Sequence, residues 1–150
     1  MFQGHLAGIC TAATKRDDLK AVEHAEIKVE GGLIGDRYFR QKDIGKPDQE
    51  ITLIESEALE ALARECGITL QPVQARRNLV TRGVPLNHLI DREFTIGEVR
   101  LRGIRLCEPC AHLEAMTHKG VREGLLHRGG LRACVIKGGT VRVGDVVRGE

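Results

Sequence analysis

The segment Cys107-Glu108-Pro109-Cys110 places two thiols three residues apart. A thiolate is both a nucleophile and a soft metal ligand. The segment ends a strand-forming run and precedes an expected short helix, whose exposed N–H groups favour a thiolate. Three chemistries are open. The pair could be a redox couple, half of a zinc site with His112, or one active thiol beside an incidental neighbour. A redox couple asks for a thioredoxin-like βαβ setting, which the pattern does not offer. Structural zinc asks for four ligands. His112, His118, His127 and Cys134 are candidates, but no second paired motif exists. A chemically silent alternative also stands, since two free thiols can simply fill a core.

Anion-binding candidates surround this pair in sequence. In Gly35-Asp36-Arg37-Tyr38, Asp36 is placed to orient Arg37, which could hold an anion. Otherwise the segment is a turn closed by an ion pair. Arg76-Arg77-Asn78 opens an expected strand. Alternation puts Arg76 and Asn78 on one wall and Arg77 on the other. The alternative is edge charge that discourages aggregation. His127-Arg128-Gly129-Gly130-Leu131-Arg132 joins two glycines to two arginines. Its glycines allow close backbone approach to an anion, or simply a connection between strands. It lacks the P-loop pattern, and no strand-coupled GxGxxG occurs. His5, His24, His88 and His118 form no recognised pair.

The elements that must position these groups are mostly short strands. Leu6–Cys10, Val22–Val29 (ended by Gly31-Gly32), Ile51–Ile54, Asn78–Arg82 and Phe94–Cys107 read as β. In the last of these, Val99 and Leu101 differ in parity from Ile104 and Leu106, so Gly103 is expected to form a bulge. The clearest helix runs from Ser56 to Glu65, with Ser56 as its cap and Gly67 as its left-handed stop. Ala58, Leu59, Leu62 and Cys66 form its apolar stripe, which makes Cys66 a core residue. Residues Val84 to Ile90 read as a turn or single helical turn. Shorter helical pieces follow Cys110, with Leu113 and Met116 at i and i+3, and span Val121–Leu126. Leu131–Ile136 and Thr140–Val147, joined by Lys137-Gly138-Gly139, suggest a closing hairpin. Gln41–Glu50 is the best loop candidate. The expected fold class is mainly β (α+β), a β-barrel with a few short helices in one domain over residues 1–150.

The chain has 150 residues, 41% apolar and 29% charged, with a net charge of +2. That suits a folded domain burying roughly 70% of its unfolded surface. The small net charge gives no general argument for nucleic acid or membrane. With Phe2, Tyr38, Phe39 and Phe94 the only aromatics, a base-stacking platform is poorly supported. No apolar run is long enough to span a bilayer, and the first residues lack a signal-peptide pattern. Five cysteines, an odd number, argue against a disulfide framework and for reduced thiols in a cytoplasmic protein. Sixteen arginines against seven lysines favour fixed, forked contacts with anions.

The ordered series Gly35-Asp36-Arg37-Tyr38, Ile51-Thr52-Leu53-Ile54, Arg76-Arg77-Asn78-Leu79-Val80, Cys107-Glu108-Pro109-Cys110, Arg128-Gly129-Gly130, Gly138-Gly139-Thr140 and Gly144-Asp145 resembles the MOSC domain. This is the C-terminal domain of molybdenum cofactor sulfurases. The resemblance covers roughly residues 5–147 and is to a standalone bacterial type. It implies a β-barrel that binds the molybdenum–pterin cofactor or carries sulfur as a persulfide. It makes Cys110, rather than Cys107, the catalytic thiol or molybdenum ligand. It matches Arg76 and Asn78 to an Arg-x-Asn beside the metal in amidoxime-reducing relatives. Arg128, Arg37 and Arg132 complete the expected anion site. Glu108 stands where those relatives carry a small hydroxyl residue. The desulfurase domain of sulfurases has no counterpart here, so no pyridoxal-phosphate lysine is expected. Implied partners are a sulfur donor or an electron-transfer protein, and N-hydroxylated compounds are a candidate substrate class. A non-catalytic module that holds cofactor or a desulfurase is the alternative, with a structural zinc protein third.

Overall fold

The computed structural model describes residues 2–39 and 47–149. Among the described residues there are eleven strands and three helices. The strands are β1 (Phe2–Thr11), β2 (Lys20–Val22), β3 (His24–Lys28), β4 (Gly32–Leu33), β5 (Ile51–Glu55), β6 (Leu79–Arg82), β7 (Glu93–Ile96), β8 (Val99–Leu106), β9 (Leu131–Lys137), β10 (Gly139–Arg142) and β11 (Val146–Gly149). The helices are α1 (Ser56–Cys66), α2 (Ala111–Met116) and α3 (Val121–Gly124). The protein is therefore mainly β, as its short β-branched runs and glycine turns suggest.

Seven strands close into a barrel in the order β11-β7-β8-β9-β5-β6-β1, with β1 pairing back to β11; β2 adds to β1. Closure removes the exposed edges that an open sheet would leave. Among the described strands only β5 and β6 run parallel, with α1 in the crossover between them. Alternation explains the core. Leu6, Ile51, Leu53, Leu79, Phe94, Leu101, Leu131 and Val147 point inward and are almost fully buried. On the outer side, Ile54 and Val80 meet Ala58, Leu59 and Leu62 of α1, together with Leu113 and Val121 of the short helices. Strands β5 and β6 are thus covered on both faces, as parallel neighbours usually are.

Several expectations hold and several need correction. Gly67 ends α1 in the left-handed conformation, with φ of 68°. The turn after Val84 is a single helical turn, Leu86–Leu89. The β8–β9 register does slip at Gly103, where the parity change placed it. Phe94–Cys107, however, is two strands, folded at Gly97 into the β7–β8 hairpin. Ser56 does not cap α1. Glu55 occupies the cap position without a side-chain bond, and the Ser56 hydroxyl bonds Glu57 instead. Cys66, in the last turn of α1, is exposed and lines a surface cavity beside α3. Of the α2 pair, Leu113 is buried while Met116 is largely exposed. The closing hairpin does not form. Strand β9 lies between β8 and β5, and β10 joins β3 and β4 in a separate three-stranded sheet. Residues 41–46 of the expected loop lie outside the described residues, and Pro47–Gln49 form a helical turn.

Candidate functional site

The two thiols of the pair have opposite fates. Cys107 leaves the end of β8 and is 2% exposed. Its N–H donates to the Gly130 carbonyl at 2.7 Å. Strand β8 ends at Leu106, and Pro109, which has no N–H to donate, cannot resume the ladder beyond Cys107. Cys110 is extended (φ −121°, ψ 170°) immediately before α2, and it is exposed. Its carbonyl accepts the Glu114 N–H at 3.2 Å. The silent alternative of two buried thiols therefore fails for Cys110 and stands for Cys107.

The backbone around the thiol is fastened from two sides. Beneath it lies Arg77, which is buried. Its Nη2 donates to the Cys107 carbonyl at 3.0 Å and its Nε to the Gly129 carbonyl at 2.9 Å. Beside it, the Glu108 carboxylate accepts the His127 N–H at 2.7 Å and meets His127 Nδ1 at 2.6 Å. His127 holds a left-handed conformation (φ 64°), and Asn87 Nδ2 donates to its carbonyl at 2.6 Å. The glycines complete this junction. A Cβ on Gly129 would come within 2.7 Å of the Cys107 carbonyl oxygen and 2.8 Å of Pro109 Cδ. One on Gly130 would collide with the Leu53 carbonyl. The glycines thus let main chain approach main chain, not an anion.

The expected cationic residues converge only in part: Arg37 and Arg76 are neighbours, while Arg128 and Arg132 bond to other parts of the chain. The chain before β6 makes a left-handed turn at Arg76 (φ 59°), so Arg76 and Asn78 do not share one strand wall. Arg76 donates to the Asp17 and Lys15 carbonyls at 2.9 and 3.0 Å. Burial, and then the charge of Arg37, lower its pKa from the usual arginine value. It lines a cleft of about 340 Å3 with Asp18, Leu19, Gln74, Met116 and Thr117. That cleft adjoins the end of α2 opposite Cys110, about 9 Å away along six helical residues. Asn78 is 0% exposed. Its amide bonds Thr52 and the Cys10 carbonyl inside the wall.

Arg37 is oriented by Asp36, as its neighbour suggested, with Nη1 at 3.0 Å. Its other nitrogen donates to the Arg76 carbonyl, and the guanidinium lies over the Tyr38 ring. Arg128 reaches Gly124 and Glu65 and lines a separate cavity beside Cys66. Arg132 donates to the Asp48 carbonyl, and its buried Nε has no partner among the described residues. No three His, Cys, Asp or Glu side chains converge for a metal among the described residues. The residues missed at the sequence level are Arg77 and the Glu108–His127 pair. The adjacent glycines at 129 and 130 were the available signal, since they mark close backbone approach.

Fold and site together define a small barrel protein that presents one cysteine at the foot of a short helix. The comparisons specify this class further. The MOSC domain model matches residues 40–148, and the chain belongs to that family. Among solved structures, the chain is similar to the YuaD protein from Bacillus subtilis (18% identity, TM-score 0.78, 98% of this chain and 97% of that one). It is also similar to YiiM from Geobacillus stearothermophilus (13%, TM-score 0.75, 98% and 75%). YiiM from Escherichia coli gives 19% identity and a TM-score of 0.70 over 100% and 70%. At these identities the likeness establishes the fold. No curated protein matches the chain in sequence. Family membership supports a role tied to the molybdenum cofactor or to sulfur. No helix among the described residues is long and apolar enough to cross a membrane.

Proposed function

We propose that this chain is a single-domain sulfur carrier, acting in the cytoplasm, that holds transferred sulfur on Cys110. The observation that carries the reading is the split pair: Cys107 is sealed in the fold while Cys110 stands exposed on anchored backbone. The Cys110 thiolate attacks the outer sulfur of a donor persulfide, R–S–S–H. A new S–S bond forms at Cys110 and the donor's S–S bond breaks. The donor leaves as R–S⁻ and takes up the proton released by Cys110, so no net oxidation occurs. The partner is a protein or small-molecule sulfur donor, and the molybdenum cofactor is the family-level acceptor, written here as substrate.

A resident pterin cofactor fits less well. The exposed thiol suits molybdenum as a soft ligand. Yet Arg76, Arg37, Arg128 and Asn78 are each already bonded within the protein. These four therefore form no free cradle for the cofactor's phosphate; of the expected residues, Arg132 alone keeps a buried nitrogen without a partner among the described residues. An oxidoreductase acting on N-hydroxylated compounds would need that cofactor in place.

The deciding experiment loads the protein with a persulfide donor and maps bound sulfur by mass spectrometry. The parent and Cys107→Ala should each gain one sulfur at Cys110, and Cys110→Ala should gain none at this segment. Equal loading of Cys110→Ala would overturn the reading. An unreactive Cys110 in the folded parent would favour a non-catalytic binding module. Stoichiometric molybdenum in the parent, lost in Cys110→Ala, would overturn sulfur carriage in favour of a molybdenum oxidoreductase.

A further inference from the structure

Arg77 is 8% exposed, and its bonds go to main-chain carbonyls alone: Gly129, Cys107 and, at 3.4 Å, Ala75. Among the described residues no carboxylate pairs with it, in contrast to Arg37, Arg82, Arg105 and Arg128. Burying a guanidinium without a counter-charge is unfavourable unless its hydrogen bonds are strong and well placed. Charge-assisted bonds from a rigid fork meet that condition. The fork spans the two strands of chain that define the thiol site, one carbonyl on each. Gly129, Gly130 and the Glu108–His127 contact close the same junction from its other sides.

We propose that Arg77 is the positioning residue of the Cys110 site, fixing residues 107–110 against the 129–130 turn so that the thiol meets its donor in line. The inference deepens the sulfur-carrier reading and rests on it for the transfer step. Arg77 does not touch the sulfur. It acts by holding the backbone three residues earlier, and a thiol must approach a disulfide or persulfide sulfur along the S–S axis.

The test compares Arg77→Met and Arg77→Lys with the parent by two readouts. The first is the rate of sulfur transfer to Cys110 from a persulfide-loaded desulfurase, with alkylation of exposed Cys66 by iodoacetamide as an internal control. The second is amide hydrogen exchange at Cys107 and His127. Arg77→Met should slow transfer about tenfold and speed exchange at both amides at least tenfold. Cys66 alkylation and exchange in β1 and β11 should not change. Arg77→Lys, which keeps a charged donor, should recover most of the transfer rate. Parent-like transfer in Arg77→Met would overturn the proposal, as would a uniform rise in exchange across the barrel.

If Arg77→Met fails to fold, Gly129→Ala tests the same junction with Arg77 in place, because its Cβ presses on Cys107 and Pro109. Slowed transfer sustains the proposal and normal transfer overturns it. If the parent accepts no sulfur at all, the carrier reading fails. Exchange at Cys107 then decides the placement role alone: loosened in Arg77→Met supports it, unchanged overturns it.

Discussion

Replacing Asn78 by alanine separates a structural amide from a cofactor-binding one. Asn78 Oδ1 accepts from the Thr52 N–H and the Thr52 hydroxyl, each at 3.2 Å. Its Nδ2 donates to the Cys10 carbonyl at 3.4 Å. Its own N–H donates to the Thr52 hydroxyl at 3.0 Å, and its carbonyl accepts from the Cys10 N–H at 2.7 Å. The residue thus joins β5 to β1 just before β6 fills the space between them. Alanine strips a partner from the Thr52 N–H and from the Cys10 carbonyl in a site with no solvent. Each unmet buried group costs about 1–3 kcal/mol. With the lost packing, Asn78→Ala should destabilise the fold by about 3–5 kcal/mol, against a total of roughly 5–15 kcal/mol for a domain. For a chain of this size that is a fall in Tm of about 10–15 °C. Thermal and urea unfolding measure it. A cycle with Thr52→Val should show coupling above about 1 kcal/mol, since the two side chains share one network. A Tm within about 3 °C of the parent, together with lost cofactor binding, would refute the reasoning and make Asn78 a ligand.

Two further predictions concern ionisation inside the wall. Burial pushes the Cys10 thiol up to about 11. The folded state then keeps a proton that the unfolded chain releases near 9, so stability is intact below pH 9 and falls as pH rises toward 11. Cys10→Ala should remove about 2 kcal/mol of that alkaline loss, read as urea midpoints from pH 8 to 10.5. Burial, the largest influence, also raises the Glu55 carboxyl, against the opposing Leu86 N–H bond. Its contribution is most favourable below the unfolded pKa and is lost as pH rises through the folded one. Glu55→Gln keeps an acceptor for Leu86 and should raise Tm at pH 7, with the gain shrinking toward pH 4. A larger gain at pH 4 than at pH 7 would contradict the burial argument.

What was legible in the sequence follows from which forces are local. Alternation, β-branching and glycine turns are properties of a few neighbouring residues, so the strands, α1 and the Gly103 slip could be read from them. Strand pairing is not local. Nothing in Lys137-Gly138-Gly139 announces that β10 must leave the barrel. The reason is spatial: a Cβ on Gly138 would stand 2.5 Å from the Ile27 carbonyl of β3, so the glycine serves the second sheet. Cys66 failed for a related reason. Helical periodicity fixes a face of α1, but not what covers that face along its length; at Cys66 the neighbour is a surface cavity beside α3. The arginines were legible as cations and illegible as to partner. Arg76 and Arg77 are adjacent, yet one grips the 15–17 loop and the other the Cys107 segment.

The same distinction bears on why Cys110 and not Cys107 is proposed to carry the chemistry. The register slip at Gly103 brings half-buried Leu106 opposite Leu131, and the next residue, Cys107, is buried with its N–H on the Gly130 carbonyl. The chain then meets Pro109, which cannot resume the ladder, and Cys110, whose extended backbone starts a helix. Anchoring contacts fall on the main chain of Cys107 and the side chain of Glu108. The Cys110 carbonyl binds Glu114, while among the described residues no hydrogen bond reaches its sulfur. A structural thiol would be enclosed by its surroundings, and a zinc ligand would have companions within reach. An attacking thiol needs fixed backbone and an unencumbered sulfur. Cys110 meets both conditions, and the glycine junction beneath it, which tolerates no added Cβ, is what the first of them requires.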